Sequence, residues 1–404
     1  MSDLEKLLDG ADVTWLPLEK ILAPKGYIRG PFGSALKKAF FVVEGVPVYE
    51  QQHAIYDKRD FRYFVDSQRA ESLKRFAVQP NDIIISCSGT IGKISIIKED
   101  DQIGIINQAL LIMRFDLSKI NIKYVKHYLE CFPRLIVSSS GGAITNIEKR
   151  MVIEKIEIPI PCPDDPKKSL EIQAEIVRIL DAFTSLTAEI TAEITARKKQ
   201  YNYYRDQLLS FDEDEVEYKP LGDEVTLRRG RVMSKDYLFE NQGDYPVYSS
   251  QTENNGMIGK INTFDFDGVF ISWTTDGANA GTVFYRTGKF SITNVCGLMK
   301  INDETRLNYK FLFYWLSIEA QRHVYSGMGN PKLMSHQVEK IPIPIPCPND
   351  PEKSLKIQGE IVRILDAFTS LTAELTAELT ARKKQYEYYR NLLLNFPKPV
   401  EATA

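Results

Sequence analysis

Cysteine is scarce in this chain of 404 residues, and none of it is paired in sequence. The five cysteines are Cys87, Cys131, Cys162, Cys296 and Cys347, with no C-x-x-C among them. That spacing supports neither a zinc ribbon nor a disulfide framework and points to a reducing compartment. Long apolar runs are missing too. The longest, such as Ala109–Met113, fall far short of the ~20 residues of a membrane span. The opening Met-Ser-Asp-Leu-Glu-Lys has neither the basic nor the apolar region of an export signal. The expected location is therefore cytoplasmic, away from membranes. Only four histidines occur (His53, His127, His323 and His336), too scattered to suggest a metal site. No G-x-G-x-x-G, H-E-x-x-H, G-x-S-x-G or adenine-methylase Asn-Pro-Pro-aromatic motif is present, which argues collectively against an enzyme. Excess positive charge is also lacking: 51 Lys and Arg against 54 Asp and Glu give −3. Tight binders of nucleic acid are usually basic, so a DNA-binding reading must rest on local features.

What is present is ordinary globular material, 43% hydrophobic and 26% charged, enough for two to four domains. It is arranged as a repeat. Residues Ile156–Phe211 and Ile341–Phe396 align without a gap at an offset of 185, with 45 of 56 positions identical. The segments ahead of them match weakly but in the same order. Pro17-Leu18 pairs with Pro220-Leu221, Pro47-Val48-Tyr49 with Pro246-Val247-Tyr248, and Gln52 with Gln251. Ile85-Ser86 pairs with Ile271-Ser272, Asn107 with Asn294, and Asn121-x-Lys123-Tyr124 with Asn308-x-Lys310-Phe311. Each half is thus one diverged globular unit followed by one nearly invariant helical unit. The boundaries read 1–155, 156–212, 213–340 and 341–404.

The globular units carry short apolar runs bounded by turn residues, Asp82–Ser86 and Gly268–Ser272, with frequent glycine between. Short helices are expected near Lys123–Glu130 and Lys310–Ala320. Each unit reads as α+β with a β-rich core. Pro159, Pro161 and Pro163, like Pro342, Pro344, Pro346 and Pro348, forbid helix and make extended connectors. Ser169 and Ser354 are candidate N-caps for the long helices beyond them. The first helix runs to about Ser210 on a stripe of Ile172, Ile176, Ile179, Phe183, Leu186, Ile190, Ile194, Tyr201, Tyr204, Leu208 and Phe211. Its 4–3 spacing is broken by two 4-steps at Leu186-Ile190-Ile194, a coiled-coil stutter. About 42 residues make a rod of ~60 Å. So narrow a stripe leaves a lone helix marginal in water. The second helix offers the same stripe through Ile361, Ile364, Phe368, Leu375, Leu379 and Tyr386. Packed antiparallel, the two would relate the halves by a pseudo-two-fold axis.

Ser88-Gly-Thr-Ile-Gly-Lys93 resembles a fragment of a nucleotide phosphate loop. It is two residues short between the glycines and lacks the Ser or Thr after the lysine. It reads as a glycine turn, with Ser88, Thr90 and Lys93 available to a DNA phosphate. Arg228-Arg229-Gly230-Arg231 is the densest basic cluster of the second unit, and Lys58-Arg59-x-x-Arg62 a looser one in the first. The loop Thr274–Asn279 is rich in groups able to reach base edges and equally rich in turn formers.

The duplicated plan, the Ile-Pro-Ile-Pro-Cys-Pro connectors and the tandem Thr-Ala-Glu-Ile/Leu units resemble the specificity subunit of type I restriction–modification systems, the IC subclass in particular. The resemblance spans essentially the whole chain and is strongest at Cys162–Phe211 and Cys347–Phe396. It implies two target recognition domains, each reading half of a split, asymmetric site on double-stranded DNA, separated by a pair of long antiparallel helices. It implies no catalytic and no metal residues here. Two methyltransferase subunits would dock on the helices and restriction subunits would join them, with S-adenosylmethionine, ATP and Mg²⁺ on those partners. Candidate DNA contacts are Arg29, Ser34, Lys37, Arg59, Ser88, Thr90, Lys93 and Asn107 in the first unit. In the second they are Arg228, Arg229, Arg231, Ser250, Thr274, Thr275, Asn279, Asn330 and Lys332. Candidate interface residues are Ile176, Ile179, Phe183, Ile190, Ile194 and Tyr201 with their counterparts on the second helix. The competing expectation is a coiled-coil scaffold that joins proteins without touching DNA.

Overall fold

The computed structural model describes residues 12–137, 147–212, 216–327 and 329–396. The opening residues, on which the export expectation rests, lie outside them. The chain divides into two compact units, Met1–Thr191 with Glu378–Ala404, and Ala192–Ala377. Each combines one globular region with segments of both long helices.

In the first unit, β1 (Val13–Pro17) is followed by β2 (Leu22–Arg29), β3 (Ile83–Ser86), β4 (Ile94–Ile96) and β5 (Leu110–Phe115). The last four form a sheet in the order β2-β5-β3-β4. Both faces of β3 are covered, which is why it reads as an unbroken apolar run. Ile83 and Ile85 pack with Tyr27, Leu111 and Met113 on one side, and Ile84 packs with Ile28, Ile112 and Tyr49 on the other. Helix α1 (Ile122–Cys131) closes the first side through Tyr124, Val125, Tyr128 and Leu129. The proline-rich connector is more than extended chain: it is β6 (Glu157–Pro161), paired antiparallel with β1. N–H direction alternates along a strand, so Pro159 and Pro161 both turn their missing donors to the edge without a partner. Ile158 and Ile160 between them enter the core.

Helix α2 (Pro166–Leu208) then begins one turn earlier than Ser169. Asp165 is the cap, accepting from the Lys168 amide at 3.1 Å, with Pro166 at the first helical position. Ser169 is buried inside the helix and accepts a hydrogen bond from Gln173.

The second unit repeats the plan. Strand β7 (Val216–Pro220) pairs with β14 (Pro342–Pro346). A six-stranded sheet is built from β8 (Val225–Arg229), β9 (Gln242–Tyr248), β10 (Met257–Ile261), β11 (Phe266–Thr274), β12 (Val283–Ile292) and β13 (Cys296–Ile301), in the order β8-β13-β11-β12-β9-β10. Helix α3 (Tyr309–Glu319) matches α1, and α4 (Pro351–Leu394) matches α2. Asp350 caps α4 through the Lys353 amide at 3.0 Å, so Ser354 is likewise not the cap.

The long helices pair antiparallel. Phe183 of α2 stacks on Tyr389 of α4 at 5.3 Å in the first unit, and Tyr204 of α2 stacks on Phe368 of α4 at 5.5 Å in the second. Rising numbers on one helix meet falling numbers on the other. Ile172, Ile176, Ile190, Ile194 and Ile361 are buried as expected, while Ile179, Phe183, Tyr201, Ile364, Phe368, Leu375, Leu379 and Tyr386 are half-buried. Val177, Leu180, Val362 and Leu365, off the expected stripe, are buried because the globular regions pack on a second side of each helix.

That second side is joined by the same polar contacts in both units. The Asn121 amide donates to Gln173 Oε1 and the Asn308 amide to Gln358 Oε1, both at 2.8 Å. Lys123 and His127 meet Asp181, as Lys310 and Tyr314 meet Asp366. The duplication therefore includes the joint between each globular region and its helix.

Candidate nucleic-acid interface

One end of each sheet gathers most of the polar candidates. In the first unit Arg29 ends β2, Asn107 and Gln108 precede β5, the Cys87–Lys93 loop follows β3, and Lys93 leads into β4. Strands lie ~4.8 Å apart, so four strand ends span ~14 Å. A DNA major groove is ~12 Å wide. In the second unit the same end brings together Arg228–Arg231 at the close of β8, Asn294 before β13, and the Thr275–Thr282 loop between β11 and β12.

The two loops are built alike. Ser86 Oγ donates to the Thr90 carbonyl at 2.6 Å and accepts from the Lys93 amide at 2.9 Å. Thr274 Oγ1 donates to the Asn279 carbonyl and accepts from the Thr282 amide at 3.1 Å. Gly92 and Gly281 close the two necks, their amides 2.8 and 2.9 Å from the Ser86 and Thr274 carbonyls. Both have left-handed φ, +76° and +82°, which favours glycine. A buried hydroxyl thus pins each neck, and the tip is free to vary. The tips expose Ser88 and Thr90 in one unit and Asn279 in the other. Lys93 enters a strand rather than a helix, so the nucleotide-loop resemblance goes no further.

The ladders also correct the alignment between halves. Ser86 pairs with Leu110 and Thr274 with Cys296, so Ser86 corresponds to Thr274 rather than Ser272. Asn107 donates to the Tyr49 carbonyl as Thr293 does to that of Tyr248, so Thr293, not Asn294, is its counterpart. Asn107 Oδ1 is engaged by the Ala109 amide at 2.9 Å.

Several sequence candidates are occupied internally. Arg59 pairs with Asp101 at 2.8 Å and donates to Ser95 and the Ile96 carbonyl, which makes it a brace. Thr274 and Thr275 are fully buried and cannot reach a duplex. Arg231 is held by Asp265 at 3.1 Å and Tyr237 at 3.1 Å. Arg229 donates to the Asn294 carbonyl and Met334 Sδ. Lys332 lies 3.9 Å from Asp276, and its strand-like contacts with Asp276 and Tyr325 fix the 330–333 segment beside the Thr275–Asn279 loop. Arg29, Ser34, Lys37, Ser88, Thr90, Lys93, Arg228, Asn279 and Asn330 are exposed, and Ser250 is half-buried. Burial pushes the Cys87 thiol up to about 12, against the pull of nearby Arg29, so it is a packing group and not a nucleophile.

Sequence reasoning missed Arg286, which lies buried between Tyr248 and Phe284, 3.6 and 4.4 Å from their ring centres, without a carboxylate. Burial lowers its pKa to about 10. Its place two residues after Phe284, on the same face of β12, was the available signal. Among the described residues no cluster of His, Cys, Asp and Glu could hold a metal, and no helix is long and apolar enough to cross a membrane.

The family model for the type I restriction modification DNA specificity domain matches residues 36–197 and 213–382. The EcoR124I/EcoR124II specificity subunit of Escherichia coli is 31% identical over 99% of this chain and 98% of its own length. The EcoprrI specificity subunit of the same organism is 33% identical over 93% of this chain and 92% of its own. The crystal structure of a type I S subunit from M. genitalium shares the fold, with a TM-score of 0.62 at 15% identity over 97% of this chain and 98% of that one. A duplicated recognition fold, a duplicated helical joint and matches over both halves lead to one assignment: the chain belongs to the type I restriction–modification DNA specificity family.

Proposed function

We propose that this subunit reads a bipartite, non-palindromic DNA target, one half-site by each sheet end. The observation that carries this is the pair of hydroxyl-pinned loops at equivalent sheet ends, alike in construction and different at the tip. The frame is duplicated while the reading surface is not, so two different sequences are read. The subunit is a recognition component without catalysis of its own. Two methyltransferase subunits engage α2 and α4, and restriction subunits complete the assembly. S-adenosylmethionine, ATP and Mg²⁺ belong to those partners, which also supply much of the phosphate contact that a chain of net charge −3 lacks. A cytoplasmic location follows from that role.

The test is a genome-wide map of methylated adenines in cells carrying this subunit and its methyltransferase. Two dissimilar half-sites about one helical turn (~10 bp) apart are expected. Replacing residues 1–155 by those of another specificity subunit should change one half-site only. A single continuous palindrome, or both half-sites altered by the swap, refutes the reading. An unmethylated genome despite an assembled complex favours a scaffold.

A further inference from the structure

Both units carry an Arg-Gly turn at the end of the first sheet strand, Arg29-Gly30 after β2 and Arg229-Gly230 after β8. Neither glycine tolerates a side chain. A Cβ on Gly30 would stand 1.9 Å from the Asn107 carbonyl oxygen, and one on Gly230 2.1 Å from that of Ile292. The backbone at each glycine is pressed onto the segment that leads into the next strand of the unit, Asn107–Gln108 or Ile292–Thr293, and its direction is set. Two residues on, each unit exposes an apolar side chain: Phe32 at 89% and Val232 at 77%. The Phe32 backbone is held by the Ala35 amide donating to its carbonyl at 2.8 Å, and Arg69 in turn holds the Ala35 carbonyl. The ring therefore stands on a rigid turn, flanked by exposed Arg29, Ser34 and Lys37. Val43 and Phe239 are comparably exposed, but neither follows an Arg-Gly turn.

An isolated exposed apolar residue needs no explanation. The same position, exposed twice at the DNA-facing sheet end and filled by different residues, does. Given the reading that these sheet ends face DNA, we infer that Phe32 and Val232 are base-contacting residues. Each makes an apolar contact with a base edge in the groove while exposed cations, Arg29 and Lys37 near Phe32 and Arg228 near Val232, hold phosphates. An apolar group on a base edge discriminates between bases, and a lysine on a phosphate does not. Phenylalanine and valine differ in reach, which suits half-sites of different sequence.

The experiment uses the assembled methyltransferase complex with Phe32→Ala, Val232→Ala and Lys37→Ala. Its readouts are binding to cognate and unrelated duplexes across a salt series, and the methylated-adenine map. Phe32→Ala should weaken cognate binding about tenfold, a single base contact's worth. It should leave unrelated-duplex binding and the salt slope unchanged and relax preference in the first half-site only. Val232→Ala should do the same in the second. Lys37→Ala should lower affinity for every duplex and reduce the salt slope by about one. Unchanged cognate affinity in Phe32→Ala, equal losses on both duplexes, or failure to assemble with the methyltransferase overturns the inference. A wild-type complex with no sequence preference instead overturns the proposed function.

Discussion

Gln358→Ala should be among the most damaging single substitutions in the second unit. Gln358 is fully buried on α4 and makes three hydrogen bonds. It accepts from the Asn308 amide at 2.8 Å and donates to Ser354 Oγ at 3.1 Å and the Arg306 carbonyl at 2.9 Å. Asn308 in turn caps α3, its side chain accepting from the Lys310 and Phe311 amides. Truncation orphans the Asn308 amide and the buried Ser354 hydroxyl, each at about 1–3 kcal/mol. A loss of about 3 kcal/mol is expected. At roughly 2–4 °C per kcal/mol for a domain of this size, the second unit should melt about 6–12 °C lower. Gln173→Ala in the first unit breaks only the bonds to Asn121 and Ser169 and should cost about 1 kcal/mol less. Calorimetry of both variants, with hydrogen exchange at the Asn308 amide, measures the difference. A loss below ~1 kcal/mol for Gln358→Ala, or a larger one for Gln173→Ala, refutes the reasoning.

Three further outcomes are expected. One more Thr-Ala-Glu-Ile after Ile194, matched by Thr-Ala-Glu-Leu after Leu379, adds ~6 Å to each helix and rotates its C-terminal part by only ~40° beyond a full turn. Methylome mapping should then show the unread spacer one or two base pairs longer and both half-sites unchanged; altered half-sites with the old spacer would refute this. Burial, reinforced by nearby Lys126 and Lys123, holds His127 below its ordinary pKa despite the favourable Asp181, and its Nδ1 has no partner. The unfolded chain therefore binds more protons, and stability falls as pH drops from about 7 through the folded pKa below 6.5. His127→Gln should lose less stability between pH 7.5 and 5.5 in chemical denaturation, a residue of the effect remaining from buried His53, whose pKa is also lowered by burial. Lys93→Ala should weaken DNA binding without changing base preference, and Asn279→Ala should relax preference in one half-site, as read by competition binding. Equal, salt-insensitive binding by both variants would count against these roles.

The repeat, the two long helices, the α+β character of the globular regions and the family were all legible from the residues. Near-identity over Ile156–Phe211 and Ile341–Phe396 records itself in sequence, and helical periodicity is local. Tertiary structure decided what depends on partners distant in the chain. The connector prolines became strands because β1 and β7 lie beside them. Ser169 and Ser354 lost the caps to Asp165 and Asp350 because a proline at the first helical position starts each helix earlier. Arg59, Thr274 and Thr275 went inward because Asp101 and the loop necks claim them. Arg29 and Phe32 share one unit's sheet end with Lys93, some sixty residues further along, because the order β2-β5-β3-β4 brings them there. Residue type states what a side chain can bind; only the ladder register, summed over strands remote in sequence, states whether it faces solvent to do so.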